Sequence, residues 1–158
     1  MLVDIVLDTN VLMHADNSIE PRRQMSRDLL VALKDCETHL CVDEGFDLDT
    51  SKNRSQIGSE YLKHLRYGML GLAVVAHLAG SLRLRQVSRR APQNVAKQIR
   101  MRVSKGVDRT FLLVAFNSNG KTLACHDFND VSIRVRANLR AKIGVRVLAA
   151  DEALVALR

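Results

Sequence analysis

The chain has no tryptophan, and aromatic residues make up only 4% of it. Stacking bases on aromatic platforms therefore cannot be its main binding mode. Cysteine is scarce: Cys36, Cys41 and Cys125 are odd in number and form no CxxC pair. That argues against a disulfide framework or a zinc site and predicts reduced thiols, packed as small core residues in a cytoplasmic protein. Long apolar runs are missing too. The longest, Met69 to Ala79, is too short to span a bilayer and contains His77, so it predicts a buried helix. The first residues carry acids rather than the basic stretch of a secretory leader. There is no internal repeat, low-complexity tract or linker, and a single domain over 1–158 is expected.

One further absence is local. From Tyr61 to Val107 there is no acidic residue, while ten Lys and Arg fall there. The rest of the chain holds 14 basic and 17 acidic residues, so the formal charge of +7 is concentrated in that stretch. A basic surface favours a polyanionic partner, nucleic acid before an anionic membrane. Arg89, Arg90, Lys97, Arg100, Lys105 and Arg109 are the candidate phosphate contacts.

What is present alternates between strand and helix. Leu2–Leu7, Thr38–Val42, Lys121–Cys125 and Val145–Ala149 read as strands, with Leu82–Val87 ambiguous. Helical stripes run from Pro21 to Lys34, through Ile57, Tyr61 and Leu65, over Met69–Ala79, and from Pro92 through Val103. Others run from Asp108 to the Asn119-Gly120 stop, from Val131 to Gly144, and after Asp151 as a cap. This alternation predicts a three-layer α/β/α sandwich around a mainly parallel sheet.

In such sheets ligands bind beyond the carboxyl ends of the strands. Asp8 ends the first strand, Asp127 follows the Lys121–Cys125 strand, and Asp108 opens the helix before it. Singly, each suits a turn or a cap. Converging, they would repel one another, and a divalent cation with a taste for oxygen would resolve that.

The stretch VLDTNVLMH resembles the opening motif of PIN-domain nucleases, and VDRTFLLVAFNSNGKTLACHDFNDV resembles their carboxy-terminal half. IGSEYLKHL resembles the middle acidic motif of one subgroup, and GVRVLAADEAL the closing strand and helix. The resemblance implies a nuclease dependent on one or two Mg²⁺ or Mn²⁺ ions, held by Asp8, Glu60, Asp108 and Asp127, with Asp130 a fifth acid and Asn10 supporting Asp8. It implies hydrolysis leaving a 5′-phosphate and a 3′-hydroxyl, on RNA before DNA. Many small relatives are toxin ribonucleases of the VapC type held by an antitoxin, and many dimerise; both partners are expectations of the resemblance alone.

Two features depart from the family pattern. Cys125 stands where many relatives carry Ser or Thr, and His126 has no counterpart in the motif, so a surface histidine is expected. Asp43 and Glu44, after the second strand, are alternatives to Glu60. The rival readings are a DNA or structure-specific nuclease of the same fold and a catalytically silent nucleic-acid-binding module. A phosphatase of the haloacid dehalogenase type would need a second Asp where Asn10 stands.

Overall fold

Four β-branched or aliphatic-rich segments and one mixed one assemble into a five-stranded, all-parallel sheet of order β3-β2-β1-β4-β5 in a computed structural model describing residues 1–129 and 131–158. The strands are β1 (Asp4–Leu7), β2 (His39–Asp43), β3 (Leu84–Val87), β4 (Thr122–Ala124) and β5 (Arg146–Leu148). β1 is buried along its whole length, as a central strand covered on both faces must be. The ambiguous Leu82–Val87 segment is β3, an edge strand, and its half-exposed pattern explains the weak apolar signal.

The helices are α1 (Thr9–His14), α2 (Arg23–Asp35), α3 (Gln56–His64), α4 (Leu70–Gly80), α5 (Gln93–Arg102), α6 (Gly106–Asn117), α7 (Ile133–Ile143) and α8 (Ala150–Leu157). On one face α4 covers β2 and β3, α8 covers β5, and α2 bridges the two helices. On the other, α6 lies across β1, β2 and β4, flanked by α3 and by α5 with α7. The fold is thus the three-layer α/β/α sandwich read from the alternation.

Some local expectations change. α4 is not buried all round: Gly71, Val74, Val75 and Leu78 face inward, while Ala73, Ala76 and His77 are exposed. Small residues on its outer face, not burial, made the run look uniformly apolar. Gly71 lets α4 approach α1 closely, since a Cβ there would lie 2.8 Å from the Leu12 carbonyl oxygen. Asp151 does not cap α8. The cap residue is Ala149, whose N–H donates to the Glu152 carboxylate at 2.7 Å. Among the described residues no helix is long and apolar enough to cross a membrane.

The chain starts at the centre of the sheet, builds β2 and β3 to one side, and then returns to place β4 and β5 on the other. The connections therefore diverge between β1 and β4, and a crevice opens beyond the carboxyl ends of those two strands.

Candidate active site

Asp8 follows β1 directly and is 6% exposed. Asp127 comes three residues after β4, Asp108 sits in the first turn of α6, and Glu60 lies on α3. The four carboxylates line one cavity of about 470 Å³, with Asn10, Lys105 and His64. The structure therefore brings together residues separated by up to 119 positions (8 to 127) at the divergence point of the sheet. Asp130 lies outside the described residues.

Local contacts hold this arrangement. The Tyr61 hydroxyl donates to the Leu7 carbonyl at 2.6 Å, tying α3 to the end of β1 beside both Glu60 and Asp8. Tyr61 is fully buried among apolar side chains, and burial first, then the Asp8 carboxylate, pushes its phenol well above its ordinary value. It stays a hydrogen-bond donor. The Cys125 thiol donates to Asp8 Oδ2 at 3.4 Å and accepts from the Asp127 N–H at 3.3 Å. One sulfur atom thus links the two acids that end β1 and β4. Burial and the Asp8 charge push that thiol up, so it is an inert donor rather than a nucleophile.

Asp8 is electrostatically uncomfortable. Burial, then the facing Asp108 carboxylate and more weakly Asp127, push it up to about 6, against the pull of the Cys125 and Thr9 hydrogen bonds. Lys105 Nζ lies 3.5 Å from Asp127 Oδ2, and His64 Nε2 lies 3.4 Å from Glu60 Oε2. His64 escaped the sequence reading, although its i,i+4 spacing from Glu60 on one helix places both on the same face.

Asp43 is not an alternative to Glu60. Its buried carboxylate accepts from the Ser55 hydroxyl and from the Gln56 and Ile57 N–H groups, closing the amino end of α3. Glu44 is exposed and does not line the cavity. His126 is not a surface residue either: it is 3% exposed. Its Nε2 accepts from the Ala150 N–H at 3.2 Å, so Nδ1 carries the proton and donates to His14 Nδ1 at 2.9 Å. His14 then presents Nε2–H to Glu20, 3.7 Å away. Burial first, then His14 and Arg22, lower His126 to about 4, so it is a neutral tie between the Asp127 loop and the helices beneath.

The six predicted phosphate contacts divide. Lys105 stands at the cavity. Arg90, Lys97 and Arg100 are exposed, while Arg89 lies 3.4 Å from Asp43 and Arg109 Nε donates to the Val103 carbonyl at 2.7 Å. Arg89 and Arg109 therefore also serve the fold.

No family model, curated protein or solved structure matches the chain. The site has to be read from its own chemistry. Among the described residues no three His, Cys, Asp or Glu side chains close on a single point as a metal cage would. Four carboxylates around a cavity of about 470 Å³ still form an all-oxygen donor set. Mg²⁺ keeps several waters and uses only one or two carboxylates directly, so an open ring of acids suits it better than a tight cage would. The raised Asp8 marks negative charge that a bound cation would offset. The residues fit a hydrated, hard divalent ion.

Proposed function

We propose that the chain is a metal-dependent nuclease of the PIN kind, hydrolysing phosphodiester bonds in RNA. The observation that carries this reading is the convergence of Asp8, Glu60, Asp108 and Asp127 on one cavity beyond the carboxyl ends of β1 and β4. Asp8, Glu60, Asp108 and Asp127, which line the cavity together, would hold the ion or ions. A bound Mg²⁺ or Mn²⁺ would lower the pKa of a water and offset charge on the phosphoryl oxygens.

The chain's own groups supply the rest. Lys105, beside Asp127 at the cavity, can meet a phosphate oxygen of the substrate. Asn10, in the first turn after Asp8, offers an amide to the same space. The Cys125 sulfur, bonded to the Asp8 carboxylate and to the Asp127 N–H, would help to orient both acids toward the ion. No serine, cysteine or histidine nucleophile is required. Cys125, at the site, holds its proton.

The test is cleavage of labelled single-stranded RNA and matched DNA by the purified protein with Mn²⁺, Mg²⁺ or EDTA, and with Asp8→Asn. We expect cutting that needs the metal, is stronger on RNA, and is lost in EDTA and in the variant. Equal cutting by Asp8→Asn, or none by the wild type with any metal, would end the nuclease reading. A toxin role predicts growth arrest on expression, relieved by Asp8→Asn.

A further inference from the structure

We propose that the groove between α7 and the open edge of β5 is a binding track for the phosphate backbone of a nucleic-acid strand leading away from the acidic cavity. This rests on the nucleic-acid reading above. β5 is an edge strand. The Arg146 N–H and the Leu148 carbonyl bond inward to the β4 side, which turns the Val147 carbonyl outward. Arg136 Nε donates to that carbonyl at 2.6 Å, and its Nη2 pairs with Glu152 at 2.5 Å. A guanidinium therefore blunts the edge and disfavours extension of the sheet by another strand there. The same guanidinium lies in a cavity of about 350 Å³, beside Arg140 and Arg146.

A second cavity, of about 650 Å³, shares Ile133, Arg136 and Glu152 with the first and reaches Phe128. Phe128 is the neighbour of Asp127, and the Arg22 and Arg136 guanidinium carbons lie 5.0 and 5.2 Å from its ring centre. The two cavities thus adjoin, and the second is lined by the residue that follows Asp127 of the acidic cavity. From 131 to 150 the chain has five Lys and Arg and no acid, a second cationic block besides Tyr61–Val107. Arg134 and Arg140 are exposed and form no ion pair among the described residues. Four arginines face two acids along the groove, and one of those acids, Glu152, is already paired. Guanidinium groups spaced along an open groove, with little aromatic surface, suit a phosphate backbone rather than stacked bases.

The experiment measures binding of labelled RNA of about 4 and about 16 nucleotides by the Asp8→Asn protein, alone and with Arg134→Ser plus Arg140→Ser. The control is Arg23→Ser plus Lys34→Ser, which removes the same charge from α2. We expect the groove variant to bind the long strand at least about tenfold more weakly, and its log affinity against log salt to flatten by about 1.4, at about 0.7 per lost phosphate contact. The short strand should lose far less, and the control should stay within about twofold. Equal losses in groove variant and control overturn the track and leave the nucleic-acid reading standing. If no protein binds RNA or DNA even at low salt, both fall. Poly-glutamate binding lost only in the groove variant would reassign the groove to an acidic protein.

Discussion

At the scale of single residues, Cys125 is the most informative side chain. A thiol is a weaker hydrogen-bonding group than a hydroxyl, yet this one contacts both Asp8 and the Asp127 backbone. Groups that orient metal ligands are worth about 10–100-fold in metal affinity. Under the nuclease proposal, Cys125→Ala should raise the Mn²⁺ concentration for half-maximal cleavage by about that factor, and Cys125→Ser should restore most of it. A manganese titration of RNA cleavage reads both. If Ala and Ser behave alike, the sulfur only fills space. Cys125 was visible in the sequence as a departure from the motif that its surroundings resemble, but its two partners were not, because they depend on how β1 and β4 pair. His126 is a sharper case. Its burial depends on the Ala150 N–H and on His14, which no local pattern announces.

At the scale of elements, α3 shows what the sequence could and could not say. The stripe of Ile57, Tyr61 and Leu65 marks the helix, and Glu60 was legible as a candidate acid on it. Asp43 and Glu44 were equally legible as rivals, and only the tertiary contact decides: the Asp43 carboxylate meets Ser55, Gln56 and Ile57. A second buried acid, Asp4, is similarly used, accepting from the Asn119 and Gly120 N–H groups at 3.2 and 2.6 Å while pairing with Arg85. Acids thus divide into those that hold loops and those that face the cavity, and composition does not separate them. Helix α1 was missed altogether because it is only six residues long and starts directly after Asp8, leaving no room for a periodic stripe. Gly144, by contrast, announced the end of α7 correctly, adopting the left-handed conformation there with φ of 74°. Asp43→Ala should destabilise the protein by about 2–4 kcal/mol in urea unfolding, by leaving buried donors of α3 unsatisfied. It should also lower cleavage through displacement of Glu60. Wild-type stability in that variant would mean that the carboxylate does not hold the helix.

At the scale of the whole molecule, two buried groups titrate against each other. Asp8 moves from 3.8 in the unfolded chain to about 6 in the fold. The native state holds that proton more tightly, so the stability it confers is complete below 3.8 and lost as pH rises through about 6. His126 moves from 6.5 to about 4, so its contribution is complete above 6.5 and lost as pH falls through about 4. His14 is lowered as well, by burial first, and adds to the histidine side. Each of the two larger displacements corresponds to at most about 3 kcal/mol. In EDTA the wild type should therefore lose only a little stability from about pH 6.5 to about pH 4, because Asp8 offsets the His126 effect and leaves the smaller His14 effect uncompensated. Asp8→Asn removes one of them. We expect it to be more stable than the wild type by about 2–3 kcal/mol near neutral pH, an advantage that fades to nothing by about pH 4. Urea unfolding at several pH values reads this directly. A gain independent of pH would show that Asp8 is not ionised against its surroundings, and the electrostatic case for a cation would lapse. Mn²⁺ added near neutral pH separates the remaining possibilities. A ligand that binds only the native state stabilises it by mass action, so the wild type should gain stability and Asp8→Asn should gain much less. An acidic cluster kept for purely structural reasons would leave both proteins unmoved by the ion.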